Sequence, residues 1–141
     1  MSRELHLVAL SSPGGLSAGR GAQAAAGSPA LGVVNDVVEI ARTAEAAGFD
    51  AILLADFAQW KHRAPSFFDP VVLTSAIIQA TSKIGVIPTL SSSFDHPYSI
   101  ARQVLSLDHL SGGRIGWNVV TSMAEGAHHS HGLSAPPSHA D

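Results

Sequence analysis

Cysteine is absent from the 141 residues, which excludes a disulfide framework, a thiolate zinc site and a thiol nucleophile. Positive charge is scarce. Two lysines and six arginines stand against 11 acidic residues, for a formal charge of −3, so no basic face is available for nucleic acid. No apolar run approaches the roughly 20 residues of a membrane span. The apolar stretch after Met1-Ser2-Arg3-Glu4 is too short for a secretory signal. Neither a Ser-His-Asp order nor a G-x-S-x-G elbow occurs. Hydrophobic residues, by contrast, make up 45% of the chain, and the mean hydropathy is +0.21. That is ample apolar surface for one domain and argues against disorder over most of the length. A soluble, cytoplasmic α/β protein is the expectation.

Periodicity supplies the elements. Leu5 to Leu10 reads as a buried strand, followed by a Gly/Ala/Ser-rich loop from Ser11 to Leu31. Val34, Val37, Val38, Ala41 and Ala44 recur at helical spacing, with Gly48 placed to end that helix. Ala51 to Ala55 reads as a strand buried on both faces. Asp69-Pro70 pairs an N-cap carboxylate with a proline at N1 and opens a helix ending near Ser82. Ile84 to Thr89 is the third strand, Pro97 to Gly112-Gly113 the third helix, and Ile115 to Val120 the fourth strand. Strands two to four start 33 and 31 residues apart, the span of one βα unit in a parallel sheet. A doubly wound sheet and an eightfold barrel both fit that spacing. In the barrel reading, the chain supplies the first four strands. Thr121 to Asp141, rich in histidine, reads as a loop, so the chain is expected to be a fragment of a longer domain, with residues 1–141 forming its N-terminal part.

Functional residues of parallel α/β proteins gather at the carboxyl ends of strands. Here these are Asp56, Thr89, Ser91 to Ser93, and Asn118 to Ser122, a set able to hydrogen-bond a polar heteroaromatic ring. Capping and turn closure are the commoner employment of such residues. His128, His129, His131 and His139 invite a metal reading, but the helical H-E-x-x-H spacing is missing, and adjacent His128 and His129 would point apart in an extended loop. Metal is therefore not expected. Gly19-Arg20-Gly21-Ala22-Gln23-Ala24 matches G-x-G-x-x-A without the strand-turn-helix context that the dinucleotide fingerprint needs. Trp117 reads as packing core. Asp36, Glu39 and Glu45 read as a solvated helix face.

The segment FFDPVVLTSAIIQATSKIGVIPTLSSSFDHPYSIARQVLSLDHLSGGRIGWNVVTS resembles the bacterial luciferase-like flavin monooxygenases. It is most similar to the branch containing nitrilotriacetate monooxygenase component A, dibenzothiophene-sulfone monooxygenase and pristinamycin IIA synthase. Pro97-Tyr98, Ala101-Arg102, Leu107 to Arg114 and Trp117 to Ser122 carry the likeness. It implies a TIM (β/α)8 barrel that takes reduced FMN from a separate NAD(P)H:flavin reductase and uses O2 to oxidise a small organic substrate, with C–N or C–S cleavage among the outcomes. It also implies a homo-oligomer at full length. By resemblance Asp56, Thr89 and His139 correspond to flavin contacts, and Asn118 belongs to the same rim. His128, His129 and His131 fall where the family has no shared pattern and are expected to be solvated. The His-x-x-Arg-Tyr pattern is cut at Asp141, and the phosphate-binding serine lies beyond it. Pro29-Ala30-Leu31 stand where the family has a Trp-Arg pair, and Met123-Ala124-Glu125 replace its alanine-rich run; these departures leave the substrate open. Two other readings survive: a flavin- or deazaflavin-dependent hydride-transfer enzyme on the same barrel, and a truncated chain without catalysis.

Overall fold

A computed structural model of the chain describes residues 5–11, 30–56, 68–121 and 126–138. Its elements, in order, are β1 (Val8–Ser11), α1 (Ala30–Ala46), β2 (Ala51–Leu54), α2 (Pro70–Ala80), β3 (Gly85–Ser91), α3 (Pro97–Ser111), β4 (Asn118–Val120) and the single turn α4 (Ala127–Ser130). The strands form one parallel sheet in the order β1-β2-β3-β4.

Local chemistry sets the helix ends. Asp69 accepts hydrogen bonds from the Val71 and Val72 N–H groups at the start of α2, as an N-cap carboxylate should. His96 does the same for α3 through Nδ1, which accepts from the Tyr98 N–H at 3.2 Å, a cap the sequence reading missed. At the other end of α3, Gly112 takes φ +71°, a left-handed conformation that glycine adopts without steric cost. The helix α1 begins at Ala30, inside the stretch read as loop. Its first turn lacks the apolar spacing that marks residues 34 to 44.

The sheet has two unlike faces. Ile52, Leu54, Ile84 and Val86 pack into one core with Val37, Ala41 and Ala44 of α1, Leu73, Ile77 and Ile78 of α2, and Leu107 of α3. Strand residues alternate between faces, and paired residues in a parallel ladder share one. The opposite face therefore carries Val8 and Leu10, Leu53, Ile87 and Thr89, and Asn118. No described helix covers it. Leu10 is 64% exposed. The expectation that β2 is buried on both faces is thus corrected: Ile52 and Leu54 are buried, while Ala51 and Leu53 are only partly so. With α2 lying between α1 and α3 on the same side and sequential strand order, the four βα units form the arc of a barrel. A doubly wound sheet would place helices on both faces.

Two further corrections concern the chain's end. Only Asn118–Val120 form strand β4; Ile115 makes an isolated bridge to Val86, and Trp117, 39% exposed, lies outside the strand. The histidine-rich stretch is not all loop, since His128 and His129 sit in α4.

Candidate functional site at the carboxyl rim

The two ends of the sheet differ in their polar chemistry. At the amino end the polar groups are consumed by the fold. Arg114 donates from Nη1 to the Ile84 carbonyl at 2.9 Å and to Thr81 Oγ1 at 3.2 Å, from Nη2 to the Ile78 carbonyl at 3.0 Å, and from Nε to the Ser111 carbonyl at 2.9 Å. Its cation thus closes the carboxyl end of α2, where the helix dipole favours positive charge. Glu45 Oε1 accepts from the Ser82, Lys83 and Ile84 N–H groups. These backbone donors hold its carboxyl below the usual carboxylate range, with a smaller contribution from Arg114. Glu45 is therefore no solvated face residue; it binds the turn before β3. Asp50 accepts from the Leu7 N–H at 2.7 Å, which with the neighbouring His6 lowers its pKa.

At the carboxyl end the polar side chains are differently engaged. Thr89 is 4% exposed and pairs with Asn118 in the ladder, where Asn118 Nδ2 donates to Thr89 Oγ1 at 2.9 Å. With one lone pair engaged, the Thr89 hydroxyl keeps its own O–H to donate, and Asn118 keeps its side-chain carbonyl to accept. The pair presents a donor beside an acceptor on the uncovered face of the sheet. Asp56 stands just past the end of β2, half-buried. Thr89, Asn118 and Asp56 thus share one rim, as the sequence spacing predicted. His139, the fourth candidate, lies outside the described residues, as does the Gly19–Ala24 stretch.

The loops after β3 and β4 are joined to each other. The Ser92 N–H donates to the Val120 carbonyl at 2.9 Å and Ser93 Oγ to the Thr121 carbonyl at 3.0 Å. Phe94 stacks on His131 with ring centroids 4.3 Å apart and planes within 5°. His131 is therefore not simply solvated, a correction that no sequence spacing signals because the partners are 37 residues apart. The His128 and His129 rings do not point apart either. Their centroids are 4.0 Å apart with planes tilted by 41°. Among the described residues no group of three or more histidine, cysteine or acidic side chains is placed to hold a metal ion. Nor, among the described residues, is any helix long and apolar enough to cross a membrane.

A flavin is a fair test of this rim. Its ring edge carries alternating hydrogen-bond donors and acceptors, which the Thr89–Asn118 pair can meet. Its phosphate needs a cationic or N–H-rich cradle, and the described residues of the loops after β2, β3 and β4 (55–56, 92–96, 121 and 126–138) contain no lysine or arginine. The ring-binding half of such a site fits these residues.

The family model for luciferase-like monooxygenases matches residues 9–141. N-acetyl-S-(2-succino)cysteine monooxygenase of Bacillus subtilis is 48% identical over 91 residues, covering 62% of this chain and 21% of that protein. The solved structure of EDTA monooxygenase from Chelativorans sp. BNC1 superposes with a TM-score of 0.81 at 34% identity, over 98% of this chain and 33% of that one. Riboflavin lyase, solved with modified FMN and riboflavin, gives a TM-score of 0.77 at 31% identity, over 93% and 33%. The chain thus spans between a fifth and a third of the length of these proteins.

Proposed function

The chain belongs to the luciferase-like monooxygenase family, and from that membership we propose that the intact protein is the oxygenase of a two-component system. Reduced FMN arrives from a separate NAD(P)H:flavin reductase, O2 is the co-substrate, and a small organic molecule is oxidised. The half-buried Thr89–Asn118 hydrogen bond on the sheet face opposite the helices supports this reading. It fixes a donor and an acceptor at the position where a barrel binds its ligand.

Reduced FMN, when bound, supplies the electrons that activate O2. The chain's own residues bind and orient it. Thr89 and Asn118 would hold the ring edge through the Thr89 hydroxyl and the Asn118 amide carbonyl, with Asp56 at the neighbouring strand end as a further acceptor. His139 completes the contact set by family position. Leu53 and Ile87, paired one layer below on the same sheet face, would help exclude water from a bound ring. The named substrates of two relatives, an S-substituted cysteine and EDTA, both hold carboxylates and carbon–heteroatom bonds. Molecules of that class are the first to try here.

The test is isotopic. Intact protein, reduced FMN from an added flavin reductase and 18O-labelled O2 are incubated with a panel of carboxylated amines and thioethers. One labelled oxygen atom in a product supports the monooxygenase reading. Turnover that proceeds without O2 would instead establish the hydride-transfer alternative, and absence of both reactions would identify a chain without catalysis.

A further inference from the structure

The segment that follows β4 is fastened to the loop that follows β3, and the Thr89–Asn118 rim lies at the base of both. That loop is fixed by its own hydrogen bonds. Ser91 Oγ accepts from the Ser93 N–H at 3.2 Å, and the Ser91 carbonyl accepts from the Asp95 N–H at 3.2 Å. The hydroxyls of Ser92 and Ser93 donate to the Val120 and Thr121 carbonyls, and Ser91 is 2% exposed. Phe94 therefore stands on a closely bonded turn, five residues after Thr89. It is half-buried.

Opposite it stands α4, which has only four residues. The Leu133 N–H donates to the His128 carbonyl and the Gly132 N–H to the His129 carbonyl, with Gly132 at φ +73°. These are the two crossed bonds of a Schellman ending. A single helical turn fixes more backbone freedom than its hydrogen bonds offset, and it does not persist in water alone. Contacts to the rest of the molecule must hold it. Ala127, 1% exposed, provides one anchor. His131, at the carboxyl cap of the turn, provides another, its ring parallel to that of Phe94 within 5° at 4.3 Å. A flat ring on a fixed bracket thus meets a flat ring on a turn that is marginal by itself. Segments of that kind are the first to open.

We propose that Phe94 and His131 are positioning residues, whose stack holds residues 126–138 as a wall beside the Thr89–Asn118 rim and keeps water from it during turnover. The inference rests on the flavin reading of that rim. With the wall held, one oxygen atom of O2 enters the substrate and the other leaves as water, the two electrons and two protons coming from reduced FMN. With the wall loose, the same electrons and protons convert O2 to hydrogen peroxide, and the substrate is untouched. The stack sets the share of turnover that ends in product. It does not set the rate at which reduced FMN is consumed.

The test uses the intact protein and begins with hydrogen exchange in the absence of flavin. Phe94→Ala should speed exchange across residues 126–138 roughly 3- to 10-fold, the effect of losing one aromatic pair, and leave α1, α2 and α3 as in wild type. His131→Ala, at an exposed position, should do the same. Phe94→Tyr and His131→Phe, which keep two flat rings, should exchange as wild type does. Product and peroxide are then measured with reduced FMN, O2 and the carboxylated panel. Both alanine variants should divert most of the consumed reduced FMN to peroxide, and both ring-keeping variants should restore the product share. Unchanged exchange in the alanine variants would overturn the clasp. Faster exchange with an unchanged product share would overturn its role at the site. Faster exchange in the variants, with no oxygenation by wild type, would contradict the flavin reading and the role that rests on it.

Discussion

Thr89 and Asn118 hold one hydrogen bond in common and leave one donor and one acceptor unused, so their role in binding follows from what the fold does not consume. His139 differs because its assignment comes from family position alone. Replacing His139 with alanine in the intact protein should weaken flavin retention or abolish oxygenation, while joint alanine replacement of His128 and His129 should leave both near wild type. Flavin titration of the two variants, with and without zinc, checks this. Zinc retained by wild type and lost by the double variant would restore the metal reading. Glu45 makes the clearest pH prediction. Three backbone donors hold its folded pKa below the usual carboxylate range, so its stabilisation is present above the ordinary carboxylate pKa. It is lost as pH falls through the lower folded pKa. Glu45→Gln removes the titrating charge, and its melting temperature should fall less steeply than that of wild type as pH drops from the ordinary carboxylate range through the lowered folded pKa. Parallel slopes in the two proteins would show that the three contacts are not linked to protonation.

At the level of elements, capping signals and apolar periodicity were legible and long-range polar contacts were not. Asp69-Pro70 and Pro97 announced their helices because the chemistry is local, within three residues. The strand starts were readable because parallel βα units have a fixed length. Arg114 was passed over as part of a family motif, since its acceptors at Ile78, Thr81 and Ile84 lie 30 to 36 residues away. The His131 stack on Phe94 was missed for the same reason. Arg114 ties the end of α2 to the start of β3 through a charged donor, and hydrogen bonds of that kind are worth about 1.5–3 kcal/mol. Arg114→Ala should therefore destabilise the fold by about 2–3 kcal/mol, read as a fall in the urea midpoint, and Arg114→Lys should recover only part because one ammonium cannot span the same carbonyls. A change within about 0.5 kcal/mol would mean that water replaces the guanidinium at no cost.

Across the described residues, Arg114, Glu45 and Asp50 at the amino rim serve folding, while Thr89 and Asn118 at the carboxyl rim keep hydrogen-bonding capacity beyond the bond they share, the division that barrels show generally. Spacing alone left the barrel and the doubly wound sheet unresolved; the sheet decides between them by carrying its three long helices on one face. The flavin rim was legible in outline, because strand ends can be found from apolar runs. The donor–acceptor pairing of Thr89 with Asn118 needs the ladder register and could not be read from residues 29 apart. That pairing is also where the account is most exposed. Anaerobic titration of the intact protein with reduced FMN should show Thr89→Val binding roughly 2- to 10-fold more weakly than wild type, matching the loss of about 0.5–1.5 kcal/mol for one hydrogen bond, while Thr89→Ser binds as wild type does. Equal affinity in Thr89→Val and wild type, with the fold intact, would contradict the assignment of this rim to the flavin.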